Sequence, residues 1–121
     1  MLALVGYTTS GLIIVVQDQL NALHQGNIKQ AYSYTAKEFQ QAIPLNNFKL
    51  FVEQFPALTD NESIHFAQRG IENSSAYLQG IATAKNGTQT KIRYQFVKQD
   101  GAWKILAIKI VANALPTQEK P

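Results

Sequence analysis

The chain contains no cysteine, which removes disulfides, thiolate nucleophiles and cysteine-based metal sites together. Either redox compartment suits such a sequence. Histidine is nearly as scarce: His24 and His65 lie far apart and form no ligand spacing of the H-x-x-x-H kind. No metal or other cofactor is expected. Charge is thin too, with 16% Asp, Glu, Lys and Arg and a net +3. The eleven cations are spread singly, without the clustered basic stripe of a nucleic-acid binder, so no nucleic-acid partner is expected.

The N-terminus also lacks charge, and the first charged residue is Asp18. A membrane-spanning helix needs about 20 mostly apolar residues. Here "GYTTSG", residues 6–11, breaks the apolar run into two short pieces. A secretory signal would carry a basic n-region and a small-residue cleavage site, but no Lys or Arg precedes Lys29. What remains is "SGLIIVVQDQLNALHQG", with Ile13, Val16, Leu20 and Leu23 at helical spacing. Ser10 is placed to cap this helix and Gly26 to stop it. Residues 1–10 are read as an arm or the remnant of an export segment, 11–113 as a single domain and 114–121 as a flexible tail.

What is present amounts to one domain, long enough at 121 residues for a core without staples. Asn27 should cap a second helix, and "TAKE", residues 35–38, has the form of a capping box. Asn46 or Asn47 should open a further helix bearing Phe48, Phe51, Val52 and Phe55 on one face, closed by Pro56. From Ser63 the period changes to two. "SIHFAQR", "AYLQGIATA", "TKIRYQFVK" and "WKILAIKIVA" read as strands, the last three joined at Asn86-Gly87 and Asp100-Gly101. Helices followed by an antiparallel meander predict an α+β fold, with N-terminal helices packed on a sheet of about four strands.

Two-residue loops at both turns would pair Ile81 with Ile92, Gln79 with Tyr94 and Tyr77 with Phe96. They would also pair Phe96 with Ile105, Tyr94 with Ala107 and Ile92 with Lys109. One face, expected under the helices, then carries Tyr77, Gln79, Ile81, Ile92, Tyr94, Phe96, Trp103, Ile105, Ala107 and Lys109. The other carries Leu78, Ala82, Arg93, Gln95, Leu106, Ile108 and Ile110. The last strand is apolar on both sides, as a strand covered twice should be. A second subunit is the expected outer cover, through Leu106, Ile108, Ile110 and Arg93.

The passage "QLNALHQGNIKQAYSY", the aromatic helix and the terminal "YQFVKQDGAWKILAIKI" together resemble the nuclear-transport-factor-2-like superfamily, also called cystatin-like, over residues 12–111. The nearest resemblance is to a bacterial domain family of unknown function. The resemblance implies a curved sheet wrapped around helices, an internal pocket and a homodimer through the outer sheet face. It also implies a slight preference for export to the periplasm over a cytoplasmic location. Superfamily members include isomerases, dehydratases and non-catalytic binding modules, so fold alone does not choose. The enzymes need a carboxylate or histidine inside the cone as general base. By the register above no acid points there, and no catalytic residue is expected.

The polar candidates for the cone are Gln79, Tyr94 and Lys109, joined by Tyr32 from the helices. They would receive a small apolar or anionic ligand, with Lys109 at the mouth. A buried tyrosine more often packs its ring and bonds its hydroxyl nearby, and a strand-end lysine reaches water. The expectation is a non-catalytic small-ligand-binding or protein-interaction module. An isomerase- or dehydratase-like enzyme in the same cone is the alternative.

Overall fold

The computed structural model describes residues 10–114, so expectations for residues 1–9 and 115–121 lie outside the described residues. Five helices precede four strands: α1 (Ser10–His24), α2 (Ile28–Ser33), α3 (Lys37–Ala42), α4 (Leu45–Glu53), α5 (Pro56–Thr59), β1 (Asn61–Glu72), β2 (Ser75–Ala84), β3 (Gln89–Gln99) and β4 (Ala102–Ala114). The strands form one antiparallel sheet in the order β1-β2-β3-β4. This is the expected α+β architecture, with the helices over one sheet face.

Ser10 is itself helical, within α1, rather than its cap. Leu12, Val16, Leu20 and Leu23 form the buried stripe, while Ile13 is half-buried. Gln19 also faces in, and its amide donates to the Ala31 carbonyl at 3.0 Å, tying α1 to α2. α1 ends in a Schellman motif: Asn27 N–H donates to Ala22 O, and Gly26 N–H to Leu23 O. Gly26 supplies the left-handed residue, with φ +76°. Asn27 then caps α2, accepting from Gln30 N at 3.2 Å.

The "TAKE" capping box does not form. Ala36 occupies the cap of α3 without a side-chain bond, because Thr35 is engaged elsewhere. Its hydroxyl donates to Tyr32 O at 2.6 Å, and its backbone bridges Ile105 on β4. Pro44, not Asn46 or Asn47, precedes α4, and Pro56 opens α5. Proline needs no amide partner in a first helical turn, so Pro56, expected to close α4, opens the next helix instead, and α4 itself ends at Glu53. Phe48 and Val52 are buried, while Phe51 and Phe55 are half-buried and pack on each other at 5.4 Å. Tyr32, Phe39 and Phe48 make a second aromatic group, with Phe39 and Phe48 edge-to-face at 5.8 Å.

The sheet register differs from expectation by one residue on β2. Gly87 N–H donates to Ala84 O, and Ala84 N–H to Thr88 O. The loop is therefore the three residues Lys85–Asn86–Gly87, with Gly87 at φ +92°, a type I turn with a bulge. Leu78 pairs with Tyr94, Gln79 with Arg93 and Ala82 with Thr90. A one-residue slip inverts every side chain, so Leu78 and Ala82 face the helices while Tyr77, Gln79 and Ile81 face outward.

The second turn has the expected two residues. Asp100 and Gly101 take φ +52° and +80°, and Phe96 pairs with Ile105. The register then shifts by one residue between Phe96 and Gln95, so Tyr94 meets Ile108 and Ile92 meets Ile110, and it shifts again only beyond Ile92, before Lys91. A bulge inserts one residue and reverses the alternation beyond it. Ile108 and Ile110 accordingly pack against the core, and Ala107 and Lys109 lie outward. The two-sided apolar character of β4 reflects that bulge, and two of the four residues expected at a dimer surface belong to the core.

Candidate functional site

The residues expected to line one ligand pocket are divided by the sheet. Tyr94 is fully buried on the helix side, its ring 6.5 Å from Phe66 and 6.3 Å from Phe96. Gln79 and Arg93 are half-buried on the opposite face, and Lys109 is exposed there, directly across from Arg93. Tyr32 donates its hydroxyl to the Ile43 carbonyl at 2.7 Å, closing the end of α3 against α2. These four side chains do not converge. The slip on β2 moved Gln79, and the bulge in β4 moved Lys109.

The buried Tyr94 hydroxyl has no hydrogen-bond partner among the described residues. Burial also pushes its pKa well above the ordinary tyrosine value, because the phenolate would be desolvated. The other buried polar side chains described are Gln19, Thr35, Thr88 and Thr90. No group of three or more His, Asp or Glu placed to hold a metal occurs among the described residues.

A cleft of about 390 Å³ opens where the β1–β2 hairpin meets the outer faces of β3 and β4. Its walls include Gly70, Glu72, Tyr77, Arg93, Gln95 and Leu106. This size falls within the range of about 300–1,000 Å³ usual for ligand pockets. Gly70 and Tyr77 are cross-strand partners, and a Cβ on Gly70 would sit 2.7 Å from Tyr77 Cε1. Only glycine lets that ring lie flat across β1. The Arg93 guanidinium stacks over the ring at 4.1 Å from its centroid and donates to Gln79 Oε1 at 3.3 Å. Ring and amide thus hold one cation at the cleft wall, leaving most of its five donors for other partners.

Gly70, Tyr77 and Gln95 had no place in the site read from sequence. An isolated glycine inside a strand signals close backbone approach, and that signal was available at Gly70. The position of Tyr77 depended on a loop length that Asn-Gly alone does not fix.

Two other clefts differ in character. One of about 410 Å³ runs between α1 and β1 past Gln17, Asn21, His24, Glu62 and Ser63. One of about 230 Å³ lies beside Gly26, Lys49, Val52 and Glu53. Tyr94 lines none of the three. No described helix is long and apolar enough to cross a membrane.

Helices packed against one face of a curved four-stranded meander define a nuclear-transport-factor-2-like fold. The chain belongs to the family described as "Domain of unknown function (DUF4864)", whose model matches residues 8–118. Among curated proteins, none matches. Solved structures do. A DUF4783 family protein from Bacteroides uniformis ATCC 8492 aligns with TM-score 0.54 and 17% identity, over 78% of this chain and 93% of its own. A SEC-C motif containing protein from Rhodopseudomonas palustris aligns with TM-score 0.59 and 14% identity, over 81% and 77%. A protein from Campylobacter jejuni named as an NTF2-like transpeptidase aligns with TM-score 0.54 and 15% identity, over 81% and 99%. Identities this low speak to the fold alone.

Proposed function

We propose that this protein is a non-catalytic interaction module that receives a partner protein on the outer face of its sheet. The observation that carries this reading is the Gly70–Tyr77–Arg93–Gln79 arrangement, a pre-positioned cation and ring beside an open cleft. A half-buried aromatic and arginine on a rigid sheet have the composition of an interface hot spot. Among the described residues, the buried polar groups include no carboxylate or histidine to act as a base behind the sheet, which supports a role without acid–base chemistry.

A second copy of the chain is the less favoured partner for this face. Lys91, Arg93 and Lys109 share it, and a twofold axis would bring these cations toward their own mates. Like charges placed opposite one another destabilise a contact. A second reading, a small polar ligand behind the sheet, draws support from the unpartnered Tyr94 hydroxyl.

Selection of binders from an unbiased peptide library, followed by mapping of amide shifts on the labelled protein, tests the reading. Shifts at Tyr77, Arg93, Gln95 and Leu106 are expected. Shifts centred on the α1–β1 groove or around Tyr94 would overturn it.

A further inference from the structure

Strands β2, β3 and β4 contain no acidic residue, yet they carry Lys91, Arg93, Lys98, Lys104 and Lys109. Lys98 lies over the Trp103 ring at 4.8 Å, and Lys104 donates to the Ser33 carbonyl at 3.2 Å. That leaves Lys91 and Lys109, both exposed, beside the stacked Arg93 on the outer face. Lys91, Arg93 and Gln95 are alternate residues of β3, so they stand about 7 Å apart on one side of the strand. Leu106 lines the same cleft as Gln95 and supplies an apolar side chain to its wall. Glu72 stands at the hairpin end, the one carboxylate among the lining residues.

From this we infer that the outer face binds an extended acidic peptide segment with the alternating pattern apolar-x-acid-x-acid, read in either chain direction. The inference rests on the interaction-module reading above. An extended chain repeats its side chains on one side every two residues, at the spacing of Gln95, Arg93 and Lys91. Its apolar residue enters the cleft beside Leu106, its first carboxylate meets the Arg93 guanidinium, and its second lies between Lys91 and Lys109. The Arg93 fork matches a carboxylate, and its ring and amide supports reduce the ordering that binding requires. Glu72 repels an acid at the cleft end and so sets the orientation. A small carboxylate filling only the cleft would not reach Lys91 or Lys109, neither of which lines it. Three cations beside an acidic lip are also fewer than a nucleic-acid backbone ordinarily engages.

The test uses fluorescently labelled acetyl-LTETE-amide and acetyl-ETETL-amide, their glutamine-for-glutamate counterparts, and oligouridylate, each titrated against the whole chain. The tighter acidic peptide is expected to bind at least about tenfold better than its counterpart, as a charge-assisted hydrogen bond implies. Its binding should weaken with salt and shift the amides of Tyr77, Arg93 and Gln95. Arg93→Gln should lose about tenfold or more. The exposed pair Lys91→Gln and Lys109→Gln, which leaves the core untouched, should lose severalfold even if Arg93→Gln fails to fold. Equal binding of the glutamine peptide on the same face would overturn the acidic pattern and leave the interaction face standing. Failure of both acidic peptides to bind, or tighter binding of oligouridylate, would overturn the inference. Shifts on another face, or a concentration-dependent dimer of the chain alone mapping to these same amides, would overturn both readings.

Discussion

The Arg93 guanidinium rests 4.1 Å from the centre of the Tyr77 ring, and that ring rests on a residue without a side chain, Gly70. The three form a stack in which each position depends on the one below it. Gly70→Ala would place a methyl 2.7 Å from Tyr77 Cε1, closer than two carbons can approach, so the ring must turn away. The ring is half-buried and can turn toward solvent, so the cost should be small, within about 1 kcal/mol. Urea denaturation should show a loss in that range, and the Arg93 side-chain N–H resonance should move because its ring partner has left. An Arg93 resonance that stays in place would contradict the stack.

Tyr94 offers a test of the opposite sign. Its hydroxyl is buried without a partner among the described residues, and an unsatisfied buried polar group costs about 1–3 kcal/mol. Tyr94→Phe should therefore be neutral or stabilising. A destabilised Tyr94→Phe would show that the hydroxyl bonds a trapped water or a ligand.

The same residue gives the protein an alkaline sensitivity. Burial raises the folded pKa of Tyr94 far above its unfolded value of about 10. The unfolded chain therefore releases this proton first. The contribution is fully present below pH about 10 and is lost as pH rises further, by about 1.4 kcal/mol per pH unit. Urea midpoints measured across that window should fall more steeply for the wild type than for Tyr94→Phe. Parallel slopes would mean that Tyr94 ionises in the folded state.

The helical layer predicts a contrast within one helix. Phe48 is fully buried between Tyr32 and Phe39, whereas Leu50, two residues on, is 60% exposed. Phe48→Ala should cost about 3–5 kcal/mol, and Leu50→Ala should stay within about 0.5 kcal/mol. Thermal melts of the two variants check this. Similar losses in both would mean that Leu50 is covered in solution, for instance by a partner.

Much of the fold was legible because its signals are local. The spacing of Val16, Leu20 and Leu23, the Asn27 cap and the change of period at Ser63 each act within a few residues. The candidate site was not, because sidedness in a sheet accumulates from loop length and bulges. Asn86-Gly87 marks a hairpin without saying whether two or three residues make its loop. One extra residue there carried Tyr77 and Gln79 outward. The bulge between the Phe96–Ile105 and Gln95–Ala107 pairs has no local marker at all, and it carried Ile108 inward. Thr35 failed to cap α3 for a related reason: its backbone is engaged by Ile105, seventy residues away in the chain.

Lys85 is the residue on which the first of those differences turns, and removing it is the direct test. In the observed loop Ala84 and Thr88 bond across the turn, with Lys85, Asn86 and Gly87 between them. Deleting Lys85 leaves Asn-Gly as a two-residue loop, the pair most favoured for a type I′ turn. Ala84 can still meet Thr88, and every pair further along β2 and β3 keeps its register. The deletion should therefore change stability by no more than about 1 kcal/mol, because it alters turn geometry without moving Leu78 or Tyr94 from the core. In the alternative register Lys85 itself would pair with Thr88, and its loss would reverse the faces of β2 relative to β3. Tyr77, Gln79 and Ile81, which that register places in the core, would then be turned out of it, and the chain should not fold. A cooperative thermal transition close to that of the wild type supports the observed register, whereas loss of the transition would reverse the faces assigned to Tyr77 and Gln79.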